Sequence, residues 1–226
     1  LGFSPIRHAR AVRWRSRRSP SAVVASCPST RLVTPPLRPN LNMSPAVATI
    51  SQILAILTII GQVGAVILAV ALIKQKNSAW ATKLLATVRA WWMPLSFIIV
   101  FGAFGGSLFY SEIAGFPPCS LCWYQRIFIY PQIILFAGAL LWRDRSIARY
   151  VLPLSIIGGI IALYNSYLQY GGSPFIPCAS NLSVISCAQR FVFEFGYLTL
   201  PLMSLTAFIL LILLSLSEIT SSSSTG

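Results

Sequence analysis

The sequence predicts an all-α membrane protein, and three observations carry that expectation. Of 226 residues, 56% are hydrophobic and only 9% are charged, a balance foreign to water-soluble domains. Several stretches are apolar over enough length to cross roughly 30 Å of hydrocarbon as helices. The charged residues gather between those stretches and not along them.

In chain order, residues 1–42 come first and differ from everything after them. They hold eight arginines, six serines, six prolines and no acid, and the first methionine is Met43. Their composition predicts a disordered extension or a segment absent from the mature protein. An acid-free, Arg- and Ser-rich segment also suits a transit peptide. Arg17-Arg18 suggests a twin-arginine signal, and Val24–Cys27 a lipoprotein cleavage site. Both need an apolar run of about 7–15 residues, and Ala22–Ala25 is too short. Cys27 and His8, the one histidine, are therefore read as incidental.

The first predicted span is Ala46–Ile73, and Lys74, Lys76, Lys83 and Arg89 follow it with no acid among them. The second is Trp91–Tyr110 and the third Gln125–Trp142, with Arg143, Arg145 and Arg149 around Asp144 beyond it. The fourth is Tyr150–Gln169 and the fifth Leu198–Leu216, before a Ser-rich tail over 218–226. Arg126 is the one charged side chain inside any of the five. The connectors are too short for a soluble domain of any size.

The charge of +13 would ordinarily raise nucleic acid as a partner. Its placement argues for topology instead. Positive residues stay cytoplasmic, so both basic connectors and the C-terminus are expected inside. The remaining two connectors then lie outside, and they hold Cys119 and Cys122, and Cys178 and Cys187. Disulfides persist in that oxidising compartment, so charge and cysteine placement agree. Two thiol pairs on one membrane face suggest a route for electrons.

The first pair belongs to Phe116-Pro-Pro-Cys-Ser-Leu-Cys122. Proline cannot continue a helix but is tolerated at its start, so the third helix is expected to begin near Cys119 or Ser120. Unpaired N–H groups and the helix dipole at such a start favour an anion, here the thiolate that makes cysteine reactive. Arg126 lies four residues beyond Cys122, on the same face. Its guanidinium would support a thiolate or an anionic acceptor, and an ionisable residue at membrane depth is by default functional. Competing readings are half of a four-cysteine zinc site, two inert structural disulfides, and an arginine that merely reaches for lipid headgroups. The second pair sits among small polar residues. If bridged, it would close a loop open to attack by an incoming thiolate. Residues Ala188–Tyr197 after it mix Phe191, Phe193 and Phe195 with Arg190 and Glu194, which suits an interfacial segment or an ordinary connector.

Gly102, Gly105 and Gly106 in the second span, and Ser155, Gly158, Gly159 and Ala162 in the fourth, are read as close helix contacts. Asn165 and Gln169 share one face near the outer end of the fourth span. They are read as bridging helices, or as hydrogen bonding a bound headgroup. Pro131 is expected to kink the third helix beyond Arg126.

These residues carry a resemblance. Gly106-Ser-Leu-Phe-Tyr-Ser-Glu-Ile113, Pro118-Cys-Ser-Leu-Cys-Trp-Tyr-Gln-Arg-Ile127, Tyr130-Pro131 and Tyr150–Gly158 resemble the disulfide bond formation protein B family, in particular its BdbC-type branch. The resemblance runs from about Trp91 to Leu216. It implies a four-helix transmembrane bundle, here with one extra N-terminal transmembrane helix in a 43–90 segment and the redox domain over 91–217. It implies an enzyme that reoxidises an extracytoplasmic thioredoxin-fold thiol oxidase and passes the electrons to a membrane quinone. Carried over, Cys119 and Cys122 are the quinone-coupled pair, with Cys122 nearest the quinone. Arg126 supports quinone and thiolate. Cys178 and Cys187 accept electrons from the partner, with Cys178 the site of the mixed disulfide. The branch often has a histidine near Asn165 and this chain has none. Asn165 then becomes a candidate donor to a quinone carbonyl. The alternatives kept are a vitamin K epoxide reductase-like enzyme, which the CxLCWYQR stretch disfavours, and a non-enzymatic membrane protein with structural disulfides.

Overall fold

The computed structural model describes residues 45–173 and 192–222. Six helices organise them: α1 Pro45–Lys74, α2 Ala79–Ala90, α3 Trp92–Leu108, α4 Ser120–Trp142, α5 Ala148–Gln169 and α6 Leu200–Ser222. A π-helical turn, Phe109–Ile113, prolongs α3, and a 3-10 turn, Arg145–Ile147, leads into α5. Five of these units are long and apolar enough to cross a membrane, and α2 is the exception. The all-α membrane architecture expected from composition is the one observed: a bundle of α3, α4, α5 and α6 with α1 added along α6. Residues 1–42, Cys178 and Cys187 lie outside the described residues.

Most helix surfaces expose large apolar side chains, among them Val66, Phe101, Ile134 and Leu141. In water such a surface would drive association; against lipid it is the solvated face. The interior is built instead from Val100, Ile129, Phe136, Val151, Phe208 and Leu211. Trp92 and Phe136 meet edge to face with centroids 6.0 Å apart, tying α3 to α4.

The small residues divide into two groups. On α5 they pack: a Cβ built on Gly158 would fall 2.4 Å from the Phe208 ring. On α3 they leave space: a Cβ on Gly102 or Gly105 would meet nothing within 4 Å, and one on Gly106 only Leu54, at 3.7 Å. The packing role read for both groups is therefore met by Gly158 and not by the α3 glycines. Replacing Gly158 by alanine is expected to cost about 1–3 kcal/mol through overpacking. The check is a thermal midpoint in detergent, with Gly102→Ala, which meets open space, as the neutral comparison.

One end of the bundle collects the basic residues. Arg89 Nε donates to Ser217 O at 2.7 Å, and Arg145 pairs with Glu218 at 3.0 Å. Asp144 caps the 3-10 turn by accepting from Ser146 N at 2.9 Å. Backbone and hydroxyl hydrogen bonds from Ser146 hold its carboxyl below the ordinary carboxylate range. The connector after α1 is not a plain loop, as its charges suggested. Ala81 and Leu85, one turn apart in α2, bury against Leu68, Ala71 and Leu214, and that pairing stabilises a short helix. Pro131 sits inside α4, which continues from Ser120 to Trp142 on both sides of it.

Candidate redox site

The site begins where α3 ends. The π-turn closes with Phe116 N donating to Tyr110 O at 2.9 Å, and Pro117-Pro118 then hold the chain extended. Cys119 is the N-cap of α4, with φ −72° and ψ 167°, and its carbonyl accepts from Trp123 N at 3.1 Å. The start expected from the two prolines is thus the start observed. Cys119 is buried and Cys122, one turn on, is half-buried. Their sulfurs lie 3.0 Å apart, about 1 Å beyond the length of a disulfide bond, so bond formation needs only a local adjustment.

Asn165 reaches this pair from α5. Its Nδ2 lies 3.7 Å from Cys122 Sγ and 4.0 Å from Cys119 Sγ. The side chain is fully buried, and its Oδ1 has no hydrogen-bond partner among the described residues. An amide donor aimed at two sulfurs stabilises negative charge on either. Asn165→Ala is expected to slow alkylation of Cys122 roughly two- to tenfold at neutral pH, the worth of one modest hydrogen bond. Mass-spectrometric timing of iodoacetamide labelling reads this, and an unchanged rate removes Asn165 from the chemistry.

Arg126 is 8% exposed, so it does not reach out to headgroups. Its Nε donates to Ser107 Oγ at 2.8 Å and its Nη2 to Ser107 O at 2.9 Å. The guanidinium also lies 5.2 Å from the centroid of the Trp123 ring, a cation–π distance. Ser107 on α3 thus fixes a cation on α4. One position earlier, Gln125 accepts from Ser204 Oγ on α6 at 2.5 Å. Its Nε2 is buried with no partner among the described residues.

Cys119, Cys122, Gln125 and Arg126 all line one cavity of about 470 Å³ between α1, α3, α4 and α6. That size falls within the range of small-molecule and cofactor sites. The remaining lining is mostly apolar, with Ile99, Ala103, Ile129, Met203 and Leu210 among it. Asn165 is not part of that lining; it approaches the sulfurs from the α5 side. Of the residues singled out from sequence, Cys119, Cys122, Arg126 and Asn165 therefore come together, and Gln169, at the end of α5, lines the same cavity. Cys178 and Cys187 lie outside the described residues. Sequence reasoning did not single out Gln125, Ser107 or Ser204. Gln125 could have been found by helix spacing, since positions 122, 125, 126 and 129 form one face of α4. Ser107 and Ser204 carry no sequence signal, because their roles come from neighbouring helices.

Comparison with known proteins bears directly on this constellation. Residues 88–217 match the family Disulfide bond formation protein DsbB. The chain is 40% identical over 121 residues to Disulfide bond formation protein C of Bacillus subtilis, covering 52% of this chain and 85% of that one. It is 44% identical over 124 residues to the SPbeta prophage-derived disulfide bond formation protein B of Bacillus subtilis, covering 55% and 82%. It is 36% identical over 122 residues to the Probable disulfide formation protein C of Halalkalibacterium halodurans, covering 54% and 88%. No solved structure matches the chain. The matched segment begins within α2 and runs into α6, so it takes in the paired sulfurs, their arginine and their asparagine. The chain belongs to the disulfide bond formation protein DsbB family.

Proposed function

We propose that this membrane protein is a disulfide:quinone oxidoreductase that reoxidises an extracytoplasmic thioredoxin-fold thiol oxidase. One observation carries the reading: two sulfurs 3.0 Å apart open onto an apolar cavity that also receives a buried guanidinium. The residues present fit a quinone. Gln125 Nε2 is an unused buried donor on the cavity wall, Arg126 supplies positive charge, and the rest of the lining suits a hydrocarbon chain.

In the proposed cycle a thiolate of the reduced partner attacks the Cys178–Cys187 disulfide through a mixed disulfide. Release of the oxidised partner leaves Cys178 and Cys187 as thiols. One of them then attacks the Cys119–Cys122 disulfide, and the second exchange leaves that pair reduced. A quinone, when bound, supplies the acceptor for the two electrons and two protons that the pair loses on returning to the disulfide. Cys122 is the sulfur suited to face it, being half-buried where Cys119 is buried. Asn165 holds charge on the sulfurs from behind, and Arg126, fixed by Ser107, balances negative charge from the cavity side. The topology that serves this cycle sets the cysteine end of the bundle outside and the Arg89, Arg145 and Arg149 end in the cytoplasm, by the charge rule.

The test is purified full-length protein with a reduced thioredoxin-fold oxidase and a quinone, followed by quinone absorbance. The proposal expects catalytic loss of the quinone band together with oxidation of the partner. Partner oxidation without any change in the quinone would point to another electron acceptor.

A further inference from the structure

We infer that α1 forms one wall of the quinone site and, opposite the small-residue face of α3, holds the quinone's isoprenoid tail. The inference rests on the quinone reading above and assigns a role to a helix that lies outside the family match at residues 88–217.

The cavity is not confined to the matched bundle. Leu54, Leu57, Thr58 and Gly61 of α1 all line it, and their i, i+3, i+4, i+7 spacing makes them one helix face. Facing them are Ile99, Gly102, Ala103 and Gly106 of α3, at the same spacing. Two such faces could have closed on each other, since small residues permit close helix approach. They do not. A Cβ on Gly102 would meet nothing within 4 Å, and the nearest atom to one on Gly106 is Leu54 Cδ1 of α1, at 3.7 Å. α1 packs chiefly on α6 and α2, whereas α3 packs on α4 and α6, so a channel remains between α1 and α3.

The two ends of that channel differ chemically. Toward Cys119 and Cys122 it holds the Arg126 guanidinium and the Nε2 of Gln125, a side chain 7% exposed whose Nε2 has no partner among the described residues. Toward Ile98 and Leu210 it is hydrocarbon. Its occupant should therefore carry a hydrogen-bond-accepting head at the cysteines and an apolar chain running between α1 and α3. The redox pair at the polar end selects a quinone over a phospholipid.

The experiment measures binding, apart from turnover. Radiolabelled quinone with a polyisoprenoid tail, and its tailless headgroup analogue, are each equilibrated with the purified full chain in micelles, and the Kd of each is read from retention. Wild type is expected to hold the tailed form much more tightly. Thr58→Phe, which projects a ring into the channel from α1, is expected to weaken the tailed form roughly tenfold or more, the scale of a poorly fitting apolar group in a pocket. The tailless Kd should stay within about twofold. Val63→Phe, on the exposed face of α1, should change neither. Leu57→Ala guards against a folding defect in Thr58→Phe: it removes wall contact without adding bulk and should also weaken only the tailed form. Equal loss of both ligands, loss of neither, or equal wild-type affinity for both would overturn the α1 wall while leaving the quinone reading standing. Displacement of the tailed quinone by phospholipid as effectively as by unlabelled quinone would assign the channel to lipid and overturn it too. Retention of neither ligand by wild type would overturn the quinone reading and this inference with it.

Discussion

Cys122→Ser is expected to lower quinone-dependent turnover by about a thousandfold or more, because a hydroxyl cannot form the sulfur–sulfur bond on which exchange depends. The fold should survive. Cys122 is half-buried at the first turn of α4, and its surroundings are set by Pro117-Pro118 and by the α4–α5 packing. The variant should therefore keep a thermal midpoint near that of the wild type. It should also retain Cys119 as a thiol able to hold a mixed disulfide that cannot resolve onward. Quinone absorbance reads the first expectation and a non-reducing gel the second. A Cys122→Ser protein that kept even a tenth of the wild-type rate would place the electron-donating sulfur elsewhere.

The second large effect is at Arg126. Methionine in its place keeps an unbranched apolar stem and removes the fork that holds Ser107 Oγ and Ser107 O at 2.8 and 2.9 Å. Hydrogen bonds from a charged group are worth about 1.5–3 kcal/mol each. Part of that is offset by no longer burying a cation. A rise of roughly ten- to a hundredfold in KM for quinone is expected, with a smaller fall in kcat. Arg126→Lys should recover only part of it, because an ammonium is a point charge and cannot reproduce the planar fork. The split between KM and stability is the informative readout. If KM for quinone stays put and only the thermal midpoint drops, Arg126 is a clamp between α3 and α4 and not part of the quinone site.

Much of this architecture was legible in the sequence because its causes are local. Five apolar lengths give five membrane-crossing helices, and two consecutive prolines give the N-cap at Cys119. The four-residue step from Cys122 to Arg126 puts both on the cavity face. What was not legible depends on neighbours distant in sequence. Gly102 and Gly158 read alike as small residues, yet one borders a channel and the other receives Phe208; only the partner helix distinguishes them. Asn165 read as a bridge between helices, a headgroup donor or a donor to a quinone carbonyl; its amide does link α5 to the start of α4, but through the two sulfurs. That contact requires α4 and α5 in register. The basic connector read as a loop because its lysines dominate it, while Ala81 and Leu85 form a helix only by virtue of the α1 and α6 surface beneath them. The place of α1 in the cavity wall has no sequence signal at all, since its apolar residues suit lipid and quinone equally.

The measurement that bears most directly on the central claim is a single turnover. Cys178→Ser/Cys187→Ser protein, in which no second thiol pair can reduce the Cys119–Cys122 disulfide again, is fully reduced, freed of reductant under anaerobic conditions and mixed with one equivalent of quinone. Thiol labelling and mass spectrometry then follow each cysteine in time. The account predicts that a disulfide forms between Cys119 and Cys122 in step with loss of the quinone band, in equal amounts. A quinone that is consumed while both sulfurs remain thiols, or a pair that oxidises while the quinone is untouched, would contradict it.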